Sequence, residues 1–214
     1  MFIDLSHPVT NGMTTLPGLP EPLITTHTSR RDGPLVDISY EIARVDLVGN
    51  TGTYVDSPFH FDADGADMAD LPVERLLNVP IVMIRAADER TVGPDLLGDP
   101  ARLWGKAVLV HTGWSSRWGS PAYRESDHPY LVSDLADALV AANVAVVGID
   151  SLDIDDTSRP TRPVHHTLLG AGIPIIEHLT NLDRVPDIGA RLTALPPPIR
   201  GMTSFPVRAI ATVG

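Results

Sequence analysis

The 214-residue chain contains no cysteine. That absence excludes disulfides and thiolate zinc sites, and it suits a reducing cytoplasm. Positive charge is scarce as well: 16 lysines and arginines stand against 27 aspartates and glutamates, giving a formal net charge of −11 and a sequence pI near 5.0. Such a surface repels a phosphate backbone on average, and no Lys/Arg run offers a local exception, which argues against nucleic acid as a partner. The chain also lacks any apolar run of membrane-spanning length, and its opening Met-Phe-Ile-Asp-Leu-Ser lacks the charged-then-apolar order of a signal peptide. The expectation is a cytoplasmic protein without a membrane partner.

What is present is a hydrophobic content of 43%, enough for one well-buried core, so a single domain over residues 1–214 is expected. Short runs rich in valine and isoleucine recur between turn residues at 2–5, 40–48, 80–84, 107–111, 144–149, 173–176 and 207–213, and they read as strands. Ser133 is placed to cap a helix in which Leu135, Leu139 and Val140 share a face, with Asn143 as its stop. A shorter helix is expected over 73–77. Strands and few helices in no strict alternation favour a mixed-sheet α/β domain over a doubly wound one, and no dinucleotide-binding fingerprint is present. Residues 12–35 and 117–129, rich in proline, glycine and polar residues, read as long loops, the kind that often cover sites.

Two stretches concentrate chemistry. In GNTGTYVDSPFHF, residues 49–61, an extended chain from Asn50 to Asp56 would place Asn50, Gly52, Tyr54 and Asp56 on one face, because side chains alternate with period two. Pro58 has no N–H for a ladder and ends the strand near His60. The competing local reading makes Asp56 a turn cap and packs His60 on Phe59 and Phe61. The second stretch, residues 148–183, sets four aspartates (150, 153, 155 and 156) after an apolar strand, then the pair His165–His166, then Glu177 at the end of a strand built from Ile173, Ile175 and Ile176. A carboxylate ending an apolar strand is costly unless solvated, paired or bound to a cation. The aspartates lack the glycine and closing glutamate of an EF-hand, so that calcium motif is rejected. His7, His27, His111, His128, His166 and His178 read as packing or surface histidines.

Taken in order, DLSHPVTNGM, NTGTYVDSPFHF, VLVHTGW, GID, HH, IPIIE and FPVRAIA span nearly the whole chain. Together they resemble the cyclase family that includes bacterial kynurenine formamidase and isatin hydrolase, whose members carry H-T-G-T-H-x-D-x-P with a further histidine two residues after the proline. The resemblance implies a swivelling β/β/α domain, a homodimer, and a divalent metal held by the pattern's polar positions, a later histidine and a glutamate after an apolar strand. Carried onto this chain, it makes Asp56, His165 and Glu177 the metal ligands and His60 the catalytic acid/base. Asn50 and Tyr54 stand where the family pattern has histidines, so the resemblance supports one ion (manganese, zinc or magnesium) rather than two.

Three readings follow. A single ion on Asp56, His165 and Glu177 leaves positions open for a water that Asn50 and Tyr54 orient. Alternatively, Tyr54 and His60 act without metal, as in a lyase or cyclase, or the pocket only binds a small molecule. The reading adopted is a hydrolase of a carbon–nitrogen bond in an aryl formamide, cyclic amide or related small acyl substrate, with catalytic His60 and Tyr54 and substrate-binding Asn50 and Trp114. Trp104, Trp118 and Tyr130 join Trp114 as candidates for an aromatic wall, against the simpler assignment of each to core packing or a dimer contact.

Overall fold

The computed structural model of the chain describes residues 1–30, 39–87 and 89–214. Its elements run β1 (Phe2–Asp4), β2 (Leu23–Thr28), β3 (Ile42–Asp46), β4 (Tyr54–Asp56), β5 (Val79–Arg85), β6 (Thr91–Val92), β7 (Ala107–His111) and β8 (Tyr130–Leu131). Then come α1 (Ser133–Ala141), β9 (Val146–Ile149), α2 (Pro163–Gly170), β10 (Ile175–Glu177), β11 (Ala190–Thr193), β12 (Ser204–Pro206) and β13 (Ile210–Val213). Nine strands form one mixed sheet in the order β1-β13-β11-β5-β7-β9-β10-β4-β12. Strands β5, β7, β9 and β10 are parallel, and the pairings on both flanks are antiparallel. This is the mixed-sheet α/β architecture expected from the sequence.

Alternation along the central strands builds two cores. Ala107 and Leu109 of β7 and Val146 of β9 face one layer, with Ile3, Leu5, Val55, Ile176 and Leu192. Val108, Val110, Val147 and Ile149 face the other, where Leu135 and Leu139 of α1 and Val164, Leu168 and Leu169 of α2 cover them. At Gly148 an added Cβ would stand 2.7 Å from the terminal methyls of Leu109 and Leu179, so these two side chains would have to shift to admit one. Each fully buried leucine here contributes roughly 1.5–3 kcal/mol.

The structure revises several local expectations. Ser133 is the first helical residue of α1, not its cap. Val132, extended at φ −83°, ψ 155°, takes that place, and its carbonyl accepts from Leu135 and Ala136. The helix over 73–77 is a single 3-10 turn, Val73–Arg75. Strand β2 lies inside the stretch read as loop 12–35, of which 31–35 fall outside the described residues. The extended segment 50–56 is a strand only from Tyr54; Gly52, at φ 65°, bends the chain before it. Helix α2 was not expected at all.

Candidate active site

The site lies at the carboxyl ends of parallel strands β9 and β10, where open α/β sheets present their ligand-binding crevices. Antiparallel register sets Tyr54 of β4 directly opposite Glu177 of β10, and Asp56 opposite Ile175. Directly opposed residues share a face, and so do residues two apart on one strand, so Tyr54, Asp56 and Glu177 project together. Ser204 of β12 pairs with Asp56 from the other side. Helix α2 packs over this face through Val164, Leu168 and Leu169, and its first turn brings His165 onto the carboxylates. Pro163 begins that helix without losing a needed N–H.

His165 Nε2 lies 3.8 Å from Asp56 Oδ2 and 3.7 Å from Glu177 Oε1. Ligand atoms from Asp56, His165 and Glu177 all fall within 4.8 Å of one another, and all three residues are buried. Glu177 is oriented by two donors: the Ile154 N–H reaches Oε1 at 2.7 Å and the Tyr54 hydroxyl donates to Oε2. Asn50 Nδ2 donates to Asp56 Oδ1 at 3.4 Å, and its own amide orientation is fixed by a 2.9 Å bond from Ser204 Oγ to Asn50 Oδ1. Gly49 is required beside them, since a Cβ there would stand 2.2 Å from the Ser204 carbonyl oxygen. Asp56 Oδ2 is buried with no donor among the described residues. An unsatisfied buried carboxylate oxygen costs more than the roughly 1–3 kcal/mol of a neutral polar group. The orphan oxygen faces His165 Nε2, and one nitrogen with two carboxylates is a donor set suited to a hard or borderline divalent cation. The residues present therefore fit a single metal ion.

Electrostatics agree with buried carboxylates crowded around a single imidazole. Burial pushes Asp56 up to about 7, against the pull of His165, with Asp153 adding to the rise. Burial and the neighbouring charge of Asp153 push Glu177 up to about 8. His165 is depressed by burial, but its bond to Asp155 and the charges of Glu177, Asp153 and Asp56 outweigh that and hold it up to about 9. Burial, then the charge of His165, lowers His60 to about 4. Without a cation, protons neutralise the cluster, and a metal ion would have to displace them.

Of the residues singled out in sequence, the structure gathers Asn50, Tyr54, Asp56, His60, His165 and Glu177. His60, on the 3-10 turn Pro58–His60, keeps its side chain 29% exposed with Nε2 3.9 Å from Asp56 Oδ1. Phe61 stacks on His165 at 5.1 Å, which separates the roles of the histidine pair: His165 faces the carboxylates and His166 meets Phe61 edge-on. Trp114 packs in a cluster beside these residues, linked to Tyr54 through Tyr123 and His178. It is buried with Tyr123 and Leu152, its indole N–H donates to the Tyr123 carbonyl, and Arg117 covers its ring. Trp104 stands 73% exposed, while Trp118 stacks on His7 at 4.0 Å. Trp118 also packs against the Trp114 cluster, and Trp104 stands apart from both.

Asp155, Ser204 and His178 were missed in the sequence. The aspartate run after β9 was the only signal for Asp155, and nothing in sequence linked Ser204 to Asn50. His178 follows Glu177 in the left-handed region at φ 56°, its carbonyl held by Thr53 Oγ1 at 2.6 Å. The Tyr123 hydroxyl lies 3.1 Å from the Ser151 carbonyl and 2.8 Å from His178 Nδ1. Burial lowers His178 to about 3, and its Nε2 is without a partner among the described residues.

Comparison with known proteins follows the same lines. The Cyclase family model matches residues 3–156. A kynurenine formamidase of Bacillus cytotoxicus is 30% identical over 210 residues, covering 98% of this chain and 96% of its own. An isatin hydrolase A structure from Labrenzia aggregata, bound to benzyl benzoate, superposes with a TM-score of 0.87 at 23% identity, covering 100% of this chain and 93% of that one. A structure described as a potential metal-dependent hydrolase with cyclase activity gives a TM-score of 0.77 at 26% identity, covering 99% and 96%. With the family model matched over most of its length and a relative similar across nearly all of it, this chain belongs to the Cyclase family.

Proposed function

We propose that this protein is a metal-dependent hydrolase of a carbon–nitrogen bond in an aryl formamide, cyclic amide or related small acyl substrate. The observation that carries the reading is the orphan Asp56 Oδ2 facing His165 Nε2 and Glu177. Kynurenine formamidase relatives supply the substrate class. Asp56, His165 and Glu177 would hold one divalent ion, manganese, zinc or magnesium, which when bound would supply a Lewis acid for a carbonyl oxygen and acidify water. Asn50 and Ser204 fix Asp56, while Ile154 N–H and Tyr54 fix Glu177. Burial and the adjacent carboxylates hold the Tyr54 phenol well above its usual range, so its proton stays on oxygen and is committed to Glu177. Tyr54 thus orients a ligand rather than exchanging protons with substrate, and Asn50 likewise serves Asp56 rather than the substrate. His60 is neutral at pH 7 and half-buried beside Asp56. It takes a proton from the attacking water and delivers it to the leaving nitrogen.

The remaining assignments belong to the same proposal. The chain is one domain over 1–214. It works in the cytoplasm, in keeping with the absence of cysteine, and no helix among the described residues is long and apolar enough to cross a membrane. It acts as a homodimer, supported by the exposed ribbon β2–β3.

Chelator-treated protein tests the central claim. It should rebind about one manganese or zinc ion per chain, Asp56→Ala and Glu177→Ala should abolish uptake, and turnover of N-formylkynurenine or isatin should return only with metal. Folded wild-type protein that binds no divalent ion in elemental analysis and calorimetry would overturn the metal centre.

A further inference from the structure

We infer that Asp155 is the positioning residue of His165: its carboxylate decides which nitrogen of His165 is bare and where that nitrogen points. The inference rests on the reading of Asp56, His165 and Glu177 as a metal centre and extends it to a residue behind that ligand set.

Asp155 is buried, at 1% exposure, in the loop between β9 and α2. Its Oδ1 accepts from the Val164 N–H at 2.9 Å, and its Oδ2 from the His165 N–H at 3.0 Å. These two bonds satisfy orphan donors of the first turn of α2, and a helix cap requires no more. The third bond goes further. His165 Nδ1 lies 2.7 Å from the same Oδ2, and an ionised carboxylate can only accept, so the proton of this bond sits on Nδ1.

The consequence is carried across the ring. A ligating imidazole must lose one of its two protons, and Asp155 retains the one on Nδ1. Nε2 is therefore the nitrogen that becomes bare, and it is the one facing Asp56 and Glu177. A carboxylate or carbonyl behind a ligating histidine sets tautomer and ring orientation in this way, and its loss typically costs roughly 10- to 100-fold in metal affinity. Asp153 cannot substitute: its Oδ1 is 3.9 Å from Nδ1, beyond hydrogen-bond range. Asp153 instead accepts from the Asp155 N–H at 2.7 Å and pairs with Arg162 at 3.4 Å, which pins the loop carrying Asp155. A single side chain thus ties the start of α2, the rotamer of His165 and the direction of its free nitrogen together.

Asp155→Ala tests this in the full-length protein, because it removes the acceptor behind His165 Nδ1 altogether and leaves the ring free to take its ordinary Nε2–H tautomer. Two readouts are taken: calorimetric affinity for Mn²⁺ and for Zn²⁺, and the tautomer of His165 from ¹⁵N-histidine spectra of metal-free protein at a pH alkaline enough to leave the ring neutral. The expected result is Nδ1–H with bare Nε2 in the wild type. The variant should shift towards Nε2–H and bind both ions roughly 10- to 100-fold more weakly. A cap with only a structural role would lower the melting temperature yet leave the tautomer and the affinity of the folded molecules unchanged, and that outcome overturns the inference. If the wild type binds neither ion, the metal reading fails by itself, and the wild-type tautomer still decides the case for Asp155. It decides equally if the variant does not fold: Nε2–H in the wild type overturns the inference, and bare Nε2 upholds it.

Discussion

At the scale of single residues, burial sets the behaviour of the histidines. His60 keeps a side chain that solvent and substrate can reach, and it contributes no bond that the fold needs. His60→Ala should therefore leave the melting temperature nearly unchanged while kcat falls by roughly 100- to 10,000-fold, the range of general acid–base groups. Loss of stability with unchanged specific activity would return His60 to a packing role. His128 is the opposite case. It is fully buried, bonded to Pro129 O at 3.0 Å and Thr157 Oγ1 at 2.9 Å, and burial holds it below the ordinary histidine value. Because its folded pKa is depressed, the unfolded chain takes up the proton first as acid is added. The stability it contributes is complete above about pH 6.5 and is lost as pH falls below that value. Urea unfolding at pH 7 and pH 5 should show wild type losing more stability than His128→Gln over that interval; equal losses would contradict the assignment.

At the scale of elements, what could be read in the sequence follows from how local each signal is. Strand β7 and the β9 region announce themselves by valine and isoleucine runs between turn residues, because a parallel strand buried on both faces needs little else. Asp56, His60, His165 and Glu177 were legible only through the order of motifs along the chain. Nothing within NTGTYVDSPFHF distinguishes a site from a capped turn, and the geometry joining it to Glu177 is the β4–β10 register, which spans more than a hundred residues. Helix α2 stayed hidden because eight residues give barely two turns of periodicity and the segment carries two polar histidines. Strand β2 was lost among Pro17, Pro20 and Pro22, whose turn signals outweigh the short alternation Leu23–Thr28. Trp114 reads as a candidate wall for an aryl ligand because it is aromatic, and the structure shows that its N–H is held by the Tyr123 carbonyl within a cluster of Trp114, Tyr123 and Leu152. Sequence shows the type of such a side chain, and only tertiary packing shows what it faces.

At the scale of the whole molecule, the ribbon formed by β2 and β3 is the feature that the chain by itself does not explain. Among the described residues the two strands pair with each other and with no strand of the nine-stranded sheet, and every residue of β3 is exposed. Ile24 lies opposite Val45, and Thr26 opposite Ala43, so these four share one face, on which Ile24 is 41% and Val45 54% exposed. The other face carries Leu23, Thr25, Ile42 and Arg44, with Leu23 and Ile42 also exposed and Arg44 paired to Asp46 at 3.9 Å. A two-stranded ribbon with an uncovered apolar face is marginal in water, and in a homodimer the same face on two copies would cover itself about a twofold axis. Val45→Glu places a charge in that contact without touching either core or any residue of the candidate site. Sedimentation of the wild type should then give twice the monomer mass, and the variant should shift towards monomer at micromolar concentration with its metal uptake intact. A wild-type monomer at all concentrations would refute the dimer, and a Val45→Glu variant that remains dimeric would move the interface away from this ribbon.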